Sequence, residues 1–292
     1  MDPGPVPVIL NPYARQGKAG ADALTALRAE GLDAHLWEVG AERPGALAER
    51  AVREGARLVV VGGGDGTLAE AAAPLVRGGA TLGVLPLGTG NTFARNLGLP
   101  LDPMGAARVI ARGLTARIDV GEVNGRIFLN SVTLGFSAHV AGALTPDLKR
   151  HLGWGAYPLA ALRALRSARV RRYTMTLDGT ASSVRTRQLI AANAKDVAAG
   201  LAVPGADYQD GRLVLLLIPG VRPADALRAA LRWLRGDPDA LVWRPFKTLA
   251  LGAVSGRRMT VNVDGDLLRA TQLEIRAHRT ALAVRVAEPL EK

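Results

Sequence analysis

The chain of 292 residues contains no cysteine. A disulfide framework and a thiolate metal site are therefore both excluded. Aromatic residues make up only 4% of it, which leaves few platforms for stacking nucleic-acid bases. The four histidines (His35, His139, His151 and His278) are scattered, with no metal-ligand spacing. No run of about 18 uncharged apolar residues occurs, so no membrane-spanning helix is expected. The opening Met1-Asp2-Pro3-Gly4 lacks the basic and apolar regions of a signal peptide. These absences fit a cytoplasmic protein.

What is present is an ordinary folded composition, 48% hydrophobic and 22% charged, in a chain long enough for two domains or one large one. The formal net charge is +11. Such a charge favours polyanions, either nucleic acid or an anionic bilayer. The bland alternative is compositional bias, since the basic residues are mostly Arg. The location of the charge weakens that alternative. From Lys149 to Arg187, nine basic residues face one acid, Asp178. Leu159, Leu162 and Leu165 recur every three residues, with Arg163 and Arg166 between them and Trp154 and Tyr157 just ahead. A basic amphipathic helix of this kind can lie on anionic lipid, each charge contributing about 1 kcal/mol near the surface. The same pattern also describes a helix that packs its leucines inward and leaves its arginines in water. No nucleic-acid module is recognisable, and no nucleic-acid partner is expected.

Along the first 120 residues, apolar runs at 6–10, 34–39, 58–61 and 81–85 read as strands. Helical periodicity is found at 21–30, 44–54, 68–76, 92–97 and 103–111. This alternation predicts an N-terminal α/β layered domain, residues 1–120, with a mostly parallel sheet. Beyond it, strands are expected at 117–123, 126–135, 173–177, 184–192, 213–218, 248–251, 258–263 and 272–276. They predict a C-terminal antiparallel β-sandwich over residues 121–280, interrupted by helices at 147–168 and 223–235. A last strand, 281–286, has the option of returning to the first domain.

Two glycine-rich turns carry the chemistry. The first reads Gly62-Gly63-Gly64-Asp65-Gly66-Thr67 after a Val-rich run, and the second Pro86-Leu87-Gly88-Thr89-Gly90-Asn91. Glycines let the backbone turn sharply and point N–H groups at phosphate oxygens, and a following helix adds the favourable end of its dipole. Asp65 is no simple phosphate ligand, because two anions repel. Its options are to act through Mg²⁺, on the sugar or on a proton. Thr67 can cap the helix or contact phosphate. A plain strand-to-helix turn would explain one such segment, but two in one domain argue for a nucleotide site.

The first turn resembles the signature of the diacylglycerol kinase catalytic domain and its relatives, which include sphingosine kinases and NAD kinases. The segment from Pro86 to Arg95 and the Asn11-Pro12 pair are similar to the lipid-kinase branch, especially its soluble bacterial members. The resemblance continues through Phe128-Leu129-Asn130-Ser131, Ala192-Asn193-Ala194, Asp210-Gly211 and Val263-Asp264-Gly265-Asp266, nearly the whole chain. It implies ATP and Mg²⁺ in a cleft between two domains, and a lipid hydroxyl as acceptor. It further implies that Asn11, Gly63, Gly64, Asp65, Gly66, Thr67 and Thr89 line the nucleotide site.

Phosphoryl transfer to an alcohol is helped by a carboxylate within reach of the attacking hydroxyl. The family commonly places a Glu two positions after the Asp of the Asp-Gly pair. Here that position is Asp266, one methylene shorter. Asp266 is the expected base and Asp65 its rival. A hairpin turn at Asp264-Gly265 with a solvated Asp266 is the plainer reading of the same residues. The segment from Asp207 to Arg212 is similar to a family loop that holds a structural Mg²⁺ through positions 207, 210 and 212, where Arg212 would offer only its carbonyl. A polar turn before a strand also describes it. Two other functions fit parts of the pattern. One is an NAD kinase, and the other a nucleotide-binding regulator without turnover. The acceptor lipid and the oligomeric state are not legible in the sequence.

Overall fold

The computed structural model describes residues 5–11, 17–135, 170–186, 188–197, 201–217, 228, 232 and 242–290. The predicted helix at 147–168 lies outside the described residues. So does the one at 223–235, except for residues 228 and 232.

The chain begins as an alternation of strands and helices. The order is β1 (Val6–Leu10), α1 (Gly17–Ala29), β2 (Ala34–Glu38), α2 (Pro44–Arg53), β3 (Leu58–Gly63), α3 (Asp65–Gly78), β4 (Thr81–Pro86), α4 (Thr92–Asn96) and α5 (Pro103–Arg112). It continues with β5 (Leu114–Val123), β6 (Arg126–Phe128), β7 (Ser131–Gly135), β8 (Arg171–Leu177), β9 (Thr180–Thr186), β10 (Gln188–Ala192), β11 (Asp196–Val197) and β12 (Leu201–Ala202). The last elements are β13 (Leu213–Leu217), β14 (Val242–Phe246), β15 (Thr248–Ala253), β16 (Met259–Val263), β17 (Asp266–Ala270) and β18 (Gln272–Val286).

Strands β2, β1, β3 and β4 pair in parallel, in that order. β3 is buried along its whole length, as the Val-rich run requires of a strand covered by helices on both faces. Pro44 opens α2, where its missing N–H costs nothing, and Asp102 caps α5 through the Gly105 amide at 2.7 Å.

The sheet does not stop at β4. Its order runs β2-β1-β3-β4-β18-β15-β8-β9, with β5 and β6 alongside β18. β18 is a single strand of 15 residues whose C-terminal part pairs in parallel with β4 and whose N-terminal part pairs antiparallel with β15. The two strands expected at 272–276 and 281–286 are therefore one. The break in their pattern is a bulge between His278 and Leu282, where Thr280 has φ +47° and its amide bonds the buried Asp119 carboxylate.

A second sheet, β14-β13-β10-β7-β16-β17, is antiparallel throughout. Val132, Leu189, Leu215 and Val261 on its inner face share one core with Tyr173, Leu249, Leu273 and Ile275 of the long sheet. This is the antiparallel sandwich that the alternating strands implied. Its outer face is not bare. Ile190, Ala192, Val214 and Leu216 pack against Val197, Val203 and Ala206.

Three differences from the sequence reading matter for the site. α3 starts at Asp65 rather than at the first apolar residue, Leu68, so Asp65, Gly66 and Thr67 form its first turn. The run 126–135 divides into β6 in the long sheet and β7 in the second, with Leu129 and Asn130 as the crossing. The run 184–192 likewise divides between β9 and β10. β14 and β17 were not foreseen as strands because they are the edges of the second sheet, half exposed and weakly patterned. Pro245 is tolerated in β14 for the same reason.

Candidate active site

The two glycine turns lie side by side at the ends of β3 and β4. A Cβ added at Gly88 would sit 2.4 Å from the Gly64 Cα, so the turns touch backbone to backbone with no side chain between them. Gly63 is fixed for another reason: a Cβ there would meet the Thr67 side chain at 2.6 Å. The Thr67 hydroxyl in turn accepts from Asn11 Nδ2 at 3.3 Å, and the Asn11 amide bonds the Gly62 carbonyl at 2.9 Å. Asn11, Gly63, Gly64, Gly66 and Thr67 are thus brought together at one end of the sheet. Thr89 stands exposed at the tip of the second turn.

α3 opens at Gly64 with extended backbone (φ −90°, ψ 179°) and no side-chain cap. Its first helical bond runs from Leu68 N–H to Gly64 O, which leaves the amides of its first turn directed out of the helix end. An uncapped N-terminus beside a glycine cradle has the geometry and dipole to receive phosphate.

The second turn is shaped by a residue whose role the motif did not reveal. Asn91, buried and in the left-handed region (φ +49°), accepts from the Gly88 amide at 2.9 Å and donates to the Pro86 carbonyl at 3.0 Å. Asn is among the few side chains at ease in that conformation. Arg95 Nε adds a bond to Gly90 O at 3.1 Å.

Asp65 lies between the turns. Its Oδ2 accepts from the Thr92 amide at 3.1 Å, and its Oδ1 from the Phe93 amide at 2.8 Å and Asn130 Nδ2 at 3.4 Å. A carboxylate from the start of α3 therefore caps the start of α4. Both of its oxygens are already engaged.

Asp266 arrives from the opposite direction. β16 and β17 are joined by the two-residue turn Asp264-Gly265, both at positive φ (+47° and +104°), as a tight hairpin requires. The turn delivers Asp266 to the helix end: its Oδ1 lies 4.0 Å from a Cβ position on Gly66. Its Oδ2 is in close contact with Arg126 Nη2, from the start of β6. Asp266 is half exposed and open on its other side.

Asp264 is more than a turn residue. It is partly buried, and its carboxylate accepts from the amides of Leu129 (2.6 Å), Asn130 (3.0 Å) and Ser131 (2.8 Å). Burial pushes its pKa up to about 6, against the pull of those three bonds and with a further push from Asp65. Tyr208, buried edge-on against Phe93, is raised well above its ordinary value by burial and by the nearby Asp264 and Asp65. Asp264, Asn130 and Tyr208 are candidate site residues to which the motif segments containing them assigned no role. Their signal in the sequence is that all three lie within the segments that carry the family resemblance.

The loop from Asp207 to Arg212 carries Tyr208 inward against Phe93. Asp207 Oδ1 accepts from the Gln209 amide and Asp210 Oδ1 from the Arg212 amide, each at 2.8 Å, in two successive side-chain turns. The second oxygen of each carboxylate remains. Asp196, Asp207 and Asp210 line one cavity of about 620 Å³, with Lys195 beside them. Among the described residues no group of three His, Asp or Glu converges as a metal cage. Behind the loop, Asp119 is buried and accepts from the amides of Gly211 and Thr280. Burial raises its pKa.

Residues 5–123 match the family described as the diacylglycerol kinase catalytic domain. Residues 130–286 match the YegS C-terminal NAD kinase beta sandwich-like domain. The chain belongs to the diacylglycerol kinase catalytic-domain family, among its YegS-like members. A Pseudomonas aeruginosa strain PAO1 protein named "Probable lipid kinase YegS-like" is 35% identical over 255 residues, covering 85% of this chain and 82% of its own. A protein of the same name from Pseudomonas fluorescens strain Pf-5 is 32% identical over 274 residues, covering 91% and 90%. The family fold extends to solved structures. One from Bacillus anthracis str. Sterne superposes with a TM-score of 0.80 at 23% identity, covering 98% of this chain and 96% of that one. A second from that strain, described as a diacylglycerol kinase, gives 0.72 at 19% identity, with 97% and 96% covered.

Proposed function

We propose that the protein is an ATP- and Mg²⁺-dependent lipid kinase that phosphorylates a hydroxyl of diacylglycerol or a similar membrane lipid. Family membership and the names of its relatives support kinase activity on a lipid. The observation that carries the mechanism is the meeting of Asp266 with the uncapped end of α3, across the Gly66 position.

The glycine cradle fits the phosphates of a nucleotide, since it offers backbone donors and no obstructing side chain. Asn11, Gly63, Gly64, Gly66 and Thr67 would line it, with Thr89 at its edge. An acceptor hydroxyl lying between the terminal phosphate and Asp266 would give its proton to the free Oδ1. Its oxygen would form the new bond to phosphorus as the bond to the bridging oxygen breaks and ADP leaves. Asp65 is the weaker base because its oxygens already hold the Thr92 and Phe93 amides. Mg²⁺, when bound with the nucleotide, would supply neutralisation of phosphate charge. Asp207 and Asp210, with the carbonyl of Arg212, offer the hard oxygens that a second, structural Mg²⁺ takes.

A lipid acceptor must be collected from a bilayer. Arg171, Arg172 and Arg185 are exposed. They extend the basic stretch that begins at Lys149, and an anionic inner-leaflet surface is the partner this charge favours. No helix among the described residues is long and apolar enough to cross a membrane.

The test is transfer of label from ATP to a lipid panel in anionic vesicles, followed by extraction. Label in the organic phase, reduced about 100-fold or more by Asp266→Asn in a folded protein, is the expected outcome. Label recovered in water-soluble NADP would replace this reading with an NAD kinase. ATP binding without turnover of any lipid would replace it with a regulator.

A further inference from the structure

The crossing from β6 to β7 brings an amide, Asn130, into the space between the glycine turns and the hairpin that carries Asp266. Its backbone is held from two sides. Asp264 takes its N–H at 3.0 Å, and its carbonyl accepts from the amides of Asn193 (2.8 Å) and Ala194 (3.3 Å). Asn193 Nδ2 also reaches Leu129 O at 3.0 Å and Asp119 O at 2.9 Å, so the crossing is braced against β5. The side chain points the other way. Its Nδ2 donates to Asp65 Oδ1, the same oxygen that receives the Phe93 amide. A carboxylate only accepts, so the amide nitrogen must face Asp65.

One residue thus joins the two halves of the site. Through its backbone it is bonded to Asp264, two residues from Asp266 in a tight hairpin. Through its side chain it is bonded to Asp65, which anchors the second glycine turn. The arrangement is not the one stability alone would select, because Asn130 Oδ1 is buried without a hydrogen-bond partner. An apolar residue would bury no orphaned acceptor. What the amide supplies is a fixed separation between a reacting carboxylate and a phosphate cradle. Misplacement of about 1 Å between such groups is enough to lower turnover about 100-fold.

We infer that Asn130 is the positioning residue that registers Asp266 against the phosphate turns. This rests on the lipid-kinase reading, with Asp266 as base. The test is a double-mutant cycle of Asn130→Ala and Asp266→Asn in the full chain, with labelled ATP and anionic vesicles. Asn130→Ala alone should lower kcat at least tenfold, leave the KM for ATP within twofold, and leave the melting temperature nearly unchanged. In the Asp266→Asn background the same change should cost less than twofold, because there is no longer a base to misplace. Equal losses in both backgrounds, or a rise in KM that accounts for the whole loss, would overturn the inference while leaving the function intact. Should Asn130→Ala fold poorly, Asn130→Ser serves in its place.

A readout independent of turnover separates the inference from the function it builds on. Hydrogen exchange of Asn130→Ala should quicken together at residues 264–266 and 91–93. Unchanged exchange at both would refute the joint even if no lipid were ever phosphorylated. Loss of Asp266 dependence in the wild-type background, with coupled exchange preserved, would instead refute the base.

Discussion

The two carboxylates of the candidate site are held in different ways. Asp65, in the first half of the chain, has both oxygens bound to backbone amides and a third donor on one of them. Asp266, in the second half, is held on one oxygen by Arg126 and is otherwise open. The halves differ in the same way. The nucleotide half offers backbone: glycines, an uncapped helix and amides shaped by Asn91 and Asp65. The sandwich half offers side chains: Asp266, Arg126 and the partly buried Asp264 behind them. A surface that receives phosphate must present N–H groups and exclude other anions. A surface that removes a proton must present an anion.

The largest break in this comparison should come from Gly88→Ala. The new Cβ would fall 2.4 Å from the Gly64 backbone, so the turns must separate. ATP affinity measured by calorimetry should fall roughly 100-fold, because the donors lose their common focus. Arg126→Ala probes the other half. The ion pair is exposed enough to add little stability, yet it fixes one oxygen of Asp266. Steady-state assays should show kcat down about tenfold, with an unchanged melting temperature and unchanged ATP binding.

Gly66→Ala sharpens the comparison by separating fold from function. The nearest atom to its added Cβ is Asp266 Oδ1 at 4.0 Å, and Gly66 sits in the first turn of a helix at no positive φ. Alanine should therefore stabilise the protein by about 0.5 kcal/mol and still cut turnover, because the methyl group enters the transfer site. Thermal melts and rate assays on one preparation would decide it.

A smaller effect concerns pH. Asp264 has a pKa of about 6 in the fold against an ordinary value of 3.8. The folded state therefore holds a proton that the unfolded state releases between those values. The protonated group favours the fold fully below about pH 4, and that contribution is lost as pH rises through 6. The loss amounts to about 3 kcal/mol at most. The difference in unfolding free energy between the wild type and Asp264→Asn, followed by denaturant titration from pH 4 to 7, should trace this decline.

Much of this site is legible in the residues, and the limits are physical. Gly62 to Thr67 and Gly88 to Asn91 mark the two adjoining turns of the candidate phosphate cradle because glycine spacing is local chemistry. The sandwich is legible because β15 and β16 alternate buried and exposed side chains. Asp264 and Asn130 are different. Their roles depend on partners 134 and 65 positions away, which no local pattern encodes. The start of α3 is not legible because Asp65, Gly66 and Thr67 are poor helix formers, with Asp65 and Thr67 held in the first turn by tertiary bonds. The unity of β18 is hidden by the bulge at Thr280, whose amide bonds Asp119, a residue far away in the chain.

The most direct test sets Asp266→Asn beside Asp65→Asn and measures kcat, ATP affinity and melting temperature for each. Asp266→Asn should lose about 10²–10⁴-fold in kcat with nucleotide binding and stability retained. Asp65→Asn should lose stability and ATP affinity together, since an amide must set a donor against the Thr92 or Phe93 N–H, yet keep far more of its turnover per bound nucleotide. The reverse result, with Asp65→Asn silent in binding and dead in turnover while Asp266→Asn stays active, would contradict the division of labour proposed for the two halves.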